Sequence, residues 1–151
     1  MEQKEKDKLL EAIHSLKRAQ TWLPSTEGIS RGEYFTLHTI HHLTEHVDDS
    51  KPGAKITDLS NAAQMSKPAV SQMLNILEDK KLIERVMAKS DRRVVYVKLT
   101  EAGAEQLKRT HQQFHYWFDQ IIEELGEEDT AELARLVNKL HTIMENLQEC
   151  K

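Results

Sequence analysis

The sequence is poor in the residues on which most small-site chemistry depends. Cysteine occurs once, at position 150 of 151, so a disulfide within the chain is impossible and a thiolate zinc site lacks ligands. A thiol sensor needs a sheltered, activated position, and a penultimate residue offers none. The five glycines are scattered, without a GxGxxG or Walker pattern. No nucleophile–base set or closed metal constellation accompanies them, and an enzyme is not expected. No apolar run approaches the roughly 18 residues of a membrane span. The N-terminus, MEQKEKDKLL, is charged and mixed in sign, unlike a signal or transit peptide. A cytoplasmic location is therefore expected, with no membrane partner.

The composition that is present, 38% hydrophobic and 30% charged, suits one globular domain over residues 1–151. The net charge of -4 conceals an uneven distribution. Between residues 64 and 98 eight Lys and Arg stand against four Asp and Glu, a local charge of +4, which leaves -8 for the remainder. A basic centre between acidic ends is the footprint of a polyanion-binding surface.

Hydrophobic periodicity and capping signals predict mostly helix. Residues 5–20 carry Leu9, Ile13 and Leu16 on one stripe, and Pro24 and Gly28 interrupt the segment that follows. Ser30 opens a second helix, to about Val47, with Glu33 completing a capping box. Thr57 is expected to cap a short helix with Leu59, Ala62 and Ala63 inward. Ser66 is expected to cap another that continues to about Lys80, with Pro68 in its first turn. On that helix Val70, Met73, Leu74 and Leu77 share one face, while Pro68, Ser71, Gln72 and Asn75 point away. LIERVM and VVYVKLT then read as a two-stranded hairpin with AKSDRR at its tip, Val95, Val97 and Leu99 facing one side. Beyond it, Leu107, His111, Phe114, Phe118, Ile121 and Leu125 step at heptad spacing. After Gly126, Leu133, Leu136, Leu140, Ile143 and Leu147 do the same. Such seams exceed what one small domain needs to cover itself and predict a homodimer.

Helix, tight turn, helix, hairpin over residues 57–99 is a winged helix-turn-helix order. The expected fold class is mainly α with a small β-hairpin wing, a winged helix-turn-helix with N- and C-terminal dimerisation helices. Residues 1–23 and 101–151 are assigned to dimerisation and 29–100 to the DNA-binding lobe. An ordinary solvated helix would show Glu and Lys outward; here the outward face carries small and amide side chains. Gln and Asn pair bidentately with adenine.

TDLSNAAQMSKPAVSQMLNILEDKKLIERVMAKSDRRVVYVKLTEAG resembles the core of the MarR family of bacterial transcriptional regulators. Asp91, Arg93, Leu99, Thr100 and Gly103 occupy the places of that family's wing motif. The resemblance implies a dimer with pseudo-two-fold symmetry whose two lobes meet palindromic double-stranded DNA, the protein being nucleoid-associated when bound. Ser66, Lys67, Pro68, Ala69, Ser71, Gln72 and Asn75 would lie in the major groove. Arg93 would reach into the minor groove with Asp91 bracing its guanidinium, while Lys67, Lys89, Arg92 and Thr57 would meet phosphates. Lys81 stands where the family usually has Gly after the recognition helix, so this helix end is expected to run on differently. Gln72 stands where many relatives have Arg, and an A/T-rich operator is expected.

No cofactor is required by this reading. Family members usually bind small aromatic or lipophilic effectors between the dimerisation and DNA-binding regions, and Trp22, Tyr34, His38, His41, Phe114, His115 and Phe118 are the candidates here. Equally, these aromatics are ordinary core. His38, His41, His42 and His46 fall on one helix and His111 and His115 are i, i+4 neighbours, which admits a zinc-responsive regulator using His42, His111 and His115. Alternatively, His111 is a packed, hydrogen-bonded residue. The leading expectation is a repressor released by a small-molecule effector. The alternatives are that zinc-responsive regulator and a winged-helix scaffold for protein contacts.

Overall fold

The computed structural model describes residues 2–19, 28–45 and 50–149. The elements are α1 (Gln3–Arg18), α2 (Arg31–Leu43), β1 (Ala54–Lys55), α3 (Ile56–Ala63), α4 (Lys67–Asp79), β2 (Ile83–Met87), β3 (Val95–Leu99), α5 (Glu101–Leu125) and α6 (Glu127–Glu149). The chain forms two compact units, residues 1–113 and 114–151, and the division falls within α5.

In the first unit the apolar faces of α2, α3 and α4 meet over one core. Leu37, Ile40, Leu59, Leu74, Leu77 and Val97 are its largest fully buried apolar side chains. The winged helix-turn-helix is thus present, as its element order implied. Its sheet has three strands rather than two: β3 lies between β1 and β2, antiparallel to both. The two-residue β1 was illegible because its pairing, Ala54 with Val97 and Lys55 with Tyr96, is wholly non-local.

That central position also changes the side-chain alternation. Val97 faces the core as expected, but Tyr96 on the other face is buried too, and Val95 is 39% exposed. The Lys55 ammonium lies 5.9 Å from the Tyr96 ring centroid, and the Tyr96 hydroxyl donates to the Ser50 carbonyl. Val95 pairs with Met87 near the wing tip, beyond the cover of the helices.

Serine side chains cap α2 and α4, whereas α1 and α3 start without a side-chain cap. Ser30 Oγ accepts from Glu33 N at 3.2 Å, but the Glu33 carboxylate does not turn back to complete a capping box. It meets Lys80 Nζ at 2.6 Å, and the same ammonium donates to the Gly28 carbonyl, tying the start of α2 to the end of α4. Ser66 Oγ accepts from Ala69 N, capping α4 as expected. Thr57, by contrast, lies inside α3: that helix begins at Ile56, with Lys55 at the N-cap and no side-chain cap. Ala62 is exposed rather than inward, so Leu59 anchors the helix.

Two non-glycine residues shape the turns. Gln64 (φ 51°) ends α3 and Lys81 (φ 61°) ends α4. At the second, Lys81 N donates to Glu78 O and Leu82 N to Leu77 O. This is a Schellman closure with the buried Leu77 and Leu82 at its hydrophobic positions. Lys81 therefore takes up the left-handed conformation glycine would supply, and α4 does not run on.

Immediately afterwards Thr100 N donates to Leu82 O and Thr100 Oγ1 to Lys81 O, while Thr100 Oγ1 accepts from Gly103 N. Thr100 thereby caps α5 and fastens it to the end of the recognition helix. A Cβ on Gly103 would overlap the Leu82 carbonyl oxygen, which explains the glycine three residues after the threonine.

In the second unit, Gly126 (φ 86°) separates α5 from α6. The seam residues of α6, from Leu133 to Leu147, are 43–64% exposed and none is buried. Leu9, Ile13 and Leu16 of α1 are likewise exposed. Among the described residues no helix is long and apolar enough to cross a membrane.

Replacing Gly103 by Ala is expected to destabilise the protein by about 1–3 kcal/mol through overpacking against backbone. Lys81→Gly is expected to stabilise it by ~1 kcal/mol by relieving a side chain from left-handed backbone. Chemical denaturation of both variants reads the two opposite signs.

Candidate nucleic-acid interface

The first turn of α4 carries no acidic side chain. The positive end of its backbone dipole is therefore not neutralised from within the helix. Ser66, Lys67, Pro68, Gln72 and Asn75 are exposed, and Ala69 and Ser71 are half-buried. Val70, Leu74 and Leu77 on the opposite face are buried, so packing fixes which side of α4 meets solvent. Ser66 Oγ is already accepting from Ala69 N, so its lone pairs are partly committed to the cap.

Asn75 is not independent. Arg85 Nη2 donates to Asn75 Oδ1 at 2.8 Å, and Arg85 Nε lies 3.7 Å from Glu78 Oε2. Sequence reasoning missed Arg85 as part of this surface, because its approach to Asn75 depends on how β2 returns beside α4. The only sequence signal is its place on a strand entering the basic wing. Beside it, Lys98 and Glu84, cross-strand partners, form an ion pair at 3.2 Å.

At the wing tip Asp91 Oδ1 accepts from Arg93 N at 3.0 Å and from Arg93 Nε at 3.2 Å. The first bond is an Asx-turn, in which the carboxylate shapes the backbone two residues on. The second steadies the guanidinium by one edge while the Arg93 side chain remains 92% exposed. Lys89 and Arg92 are exposed on the same tip. The Arg93 amide first, and then its guanidinium, hold the Asp91 carboxyl below its ordinary range.

A separate cavity of about 460 Å³ in the first unit is lined by His38, His41, Ala104, Leu107, Lys108 and His111. Of the residues expected in a pocket, His38 and His41 line it. Tyr34 stands next to it, buried, its hydroxyl sharing a 3.3 Å hydrogen bond with His111 Nδ1. Burial raises the Tyr34 hydroxyl above its ordinary value. Trp22 and His46 lie outside the described residues. Phe114, His115 and Phe118 belong to the second unit, where the Phe114 and Phe118 rings stack at 5.8 Å. Ala104, Leu107, Lys108 and His111 had not been assigned to a pocket, although their 3, 1, 3 spacing is a helical face. Among the described residues no three His, Cys, Asp or Glu are grouped to hold a metal, and His42 instead lies 3.7 Å from Glu45.

The arrangement is that of a helix presented outward beside a basic wing, and comparison with known proteins places it. The MarR family model matches residues 29–95. Those residues resemble a MarR-family domain. Members of this family are transcriptional regulators, not enzymes. The HTH-type transcriptional regulator BilQ of Clostridium symbiosum (strain WAL-14163) is 29% identical over 115 residues, covering 76% of this chain and 74% of BilQ. The structure of S. aureus MepR in its DNA complex superposes with a TM-score of 0.67 at 26% identity, covering 89% of this chain and 96% of that one. Streptococcus pneumoniae FabT in complex with DNA gives 0.67 at 26%, covering 97% and 99%. The MarR wing motif thus has its physical account here: Asp91 turns the tip, Thr100 caps α5, and Gly103 admits the Leu82 carbonyl.

Because the Asp91 carboxyl is held low, the Asx-turn is expected to be fully formed above the ordinary carboxylate value of about 4. It should be lost as pH falls through the lowered folded value. The Arg93 amide resonance, followed by NMR from neutral to acid pH, should move in that window and stay fixed above it; Asp91→Asn should abolish the movement.

Proposed function

We propose that this MarR-family protein is a homodimeric, sequence-specific DNA-binding regulator, a repressor whose hold on its operator is released by a small-molecule effector. The observation that carries the reading is the exposed, acid-free first turn of α4 on the same unit as a basic wing. An anionic ligand meets unneutralised backbone N–H groups there, and the +4 segment supplies the surrounding field.

In the mechanism, α3 braces α4, whose outward side chains enter the major groove while Arg93 enters the adjacent minor groove. Lys67, Lys89 and Arg92 meet phosphates, and exposed Thr57 on α3 stands with them. The uncovered seams of α1 and α6 support a second copy as partner, since a lone chain leaves those apolar stripes in water. Two lobes reach successive major-groove faces only at a spacing of about 34–36 Å. A palindromic operator, A/T-rich at the positions read by Gln72, fits such a dimer. BilQ is a transcriptional regulator, and MepR and FabT have been crystallised with DNA, which supports the same assignment.

The effector site in this reading is the cavity between α2 and the start of α5. A ligand bound there separates or approximates two elements of the DNA-binding unit. Its effect on DNA affinity equals its differential affinity for the two lobe arrangements.

Binding to DNA from upstream of the protein's own gene, followed by gel shift, is expected to weaken steeply with salt. Each neutralised phosphate contributes roughly -0.9 to the log–log slope. Arg92→Ala should flatten that slope by about one phosphate per subunit. Arg93→Ala should weaken binding outright, and unchanged affinity would return Arg93 to a purely structural role.

A further inference from the structure

Every second side chain of a strand shares one face, and directly paired residues of an antiparallel ladder share that face too. One face of the wing hairpin therefore carries, from base to tip, Ile83 opposite Leu99, Arg85 opposite Val97, and Met87 opposite Val95. At the base Ile83 and Val97 are buried in the core, whereas nearer the tip Met87 and Val95 are 58% and 39% exposed. Arg85, between them, fixes which way the face looks. Its guanidinium reaches Asn75 and Glu78 on α4. The Met87–Val95 pair is thus the outer part of the surface that looks toward the recognition helix. Beyond it the wing tip carries exposed Lys89, Arg92 and Arg93.

We propose that the Met87–Val95 pair is an apolar contact surface for the deoxyribose rings of the DNA strand that passes between α4 and the wing. This rests on the DNA-binding function proposed above. With α4 in the major groove and Arg93 in the adjacent minor groove, the sugar–phosphate strand dividing the two grooves runs through the cleft between helix and wing. Such a strand alternates anionic phosphates with apolar sugar edges. The basic tip suits the first, and a thioether beside an isopropyl group suits the second. Val95 is stiff at χ1 and gives a fixed wall, while the unbranched Met87 adapts to the sugar it meets. A sugar contact carries no base information, so it adds affinity for every sequence alike. It also releases no counterion, so its contribution does not vary with salt as a phosphate contact does.

The test is a salt titration of binding by the full-length protein to a duplex that the wild type selects from random DNA. Met87→Gln combined with Val95→Thr keeps the size of both side chains and makes them polar; Met87→Leu keeps the apolar character, and each variant's melting temperature is recorded. The double variant should melt with the wild type and bind on the order of tenfold more weakly, as expected when several tens of Å² of apolar surface per subunit find no apolar partner. That loss should be the same at every salt concentration, leaving the log–log slope at its wild-type value, in contrast to Arg92→Ala. Met87→Leu should stay within about twofold of the wild type, since the exchange conserves apolar volume. Wild-type affinity in the double variant overturns the proposal and leaves the pair to a protein partner or to the hairpin's own stability. A weakened slope overturns it as well, because a pair that only braces the wing takes the phosphate contacts of the tip away with it. So does a loss in Met87→Leu equal to that of the double variant. If the folded wild type retains no duplex at all, the DNA-binding reading itself fails, and the sugar contact with it.

Discussion

The backbone carbonyls of Lys81 and Leu82 receive Thr100 Oγ1 at 2.7 Å and Thr100 N at 3.1 Å, and the rest of the DNA-facing unit depends on that junction. Those two residues close α4 through the Schellman turn, and Thr100 ends β3 and opens α5. A recognition helix, the base of a wing and the long following helix thus meet within a few atoms. The close approach is possible because Gly103 has no Cβ to place against the Leu82 carbonyl. The ion pair from Lys80 to the buried Glu33 secures the same end of α4 to α2. Removing Lys80 would leave the Glu33 carboxylate desolvated, so the tie matters more than a surface bridge of equal length.

Away from that junction, orientation is set by polar contacts rather than by burial. Asp91 holds Arg93, whose side chain stays almost wholly in water, and the partly exposed Arg85 holds Asn75. Exposed pairs of this kind add little to stability. Their value lies in reducing the conformations a long side chain or an amide must lose when it meets a ligand. An acid at the tip of a basic wing is consistent with this, because the carboxylate shapes the turn and holds one edge of the guanidinium.

The local devices were legible because they act over three or four residues: Ser66 capping α4, the buried face of Val70, Leu74 and Leu77, and Asp91 as the partner of the Arg93 guanidinium. Lys81 was harder. Its residue type argued against a left-handed position, but Leu77 and Leu82, both buried, outweigh the strain of a side chain at positive φ. The alternation of β3 was misread at Val95 and Tyr96 because a two-stranded hairpin has one buried face. A central strand reaching out to a wing tip is covered differently along its length.

Sequence by itself determined the order of the helices and of the two wing strands, the MarR wing motif, the basic centre and the apolar seams of the terminal helices. Each is a matter of residue type and spacing along one chain. Only tertiary structure decided that β1 completes a three-stranded sheet, that Glu33 turns to Lys80 instead of closing its own cap, and that Ala104, Leu107, Lys108 and His111 face a cavity with His38 and His41. It also decided that Arg85 holds the Asn75 oxygen. These contacts join residues that local periodicity does not pair, and which partner a polar group takes is settled by the packing that brings distant elements together.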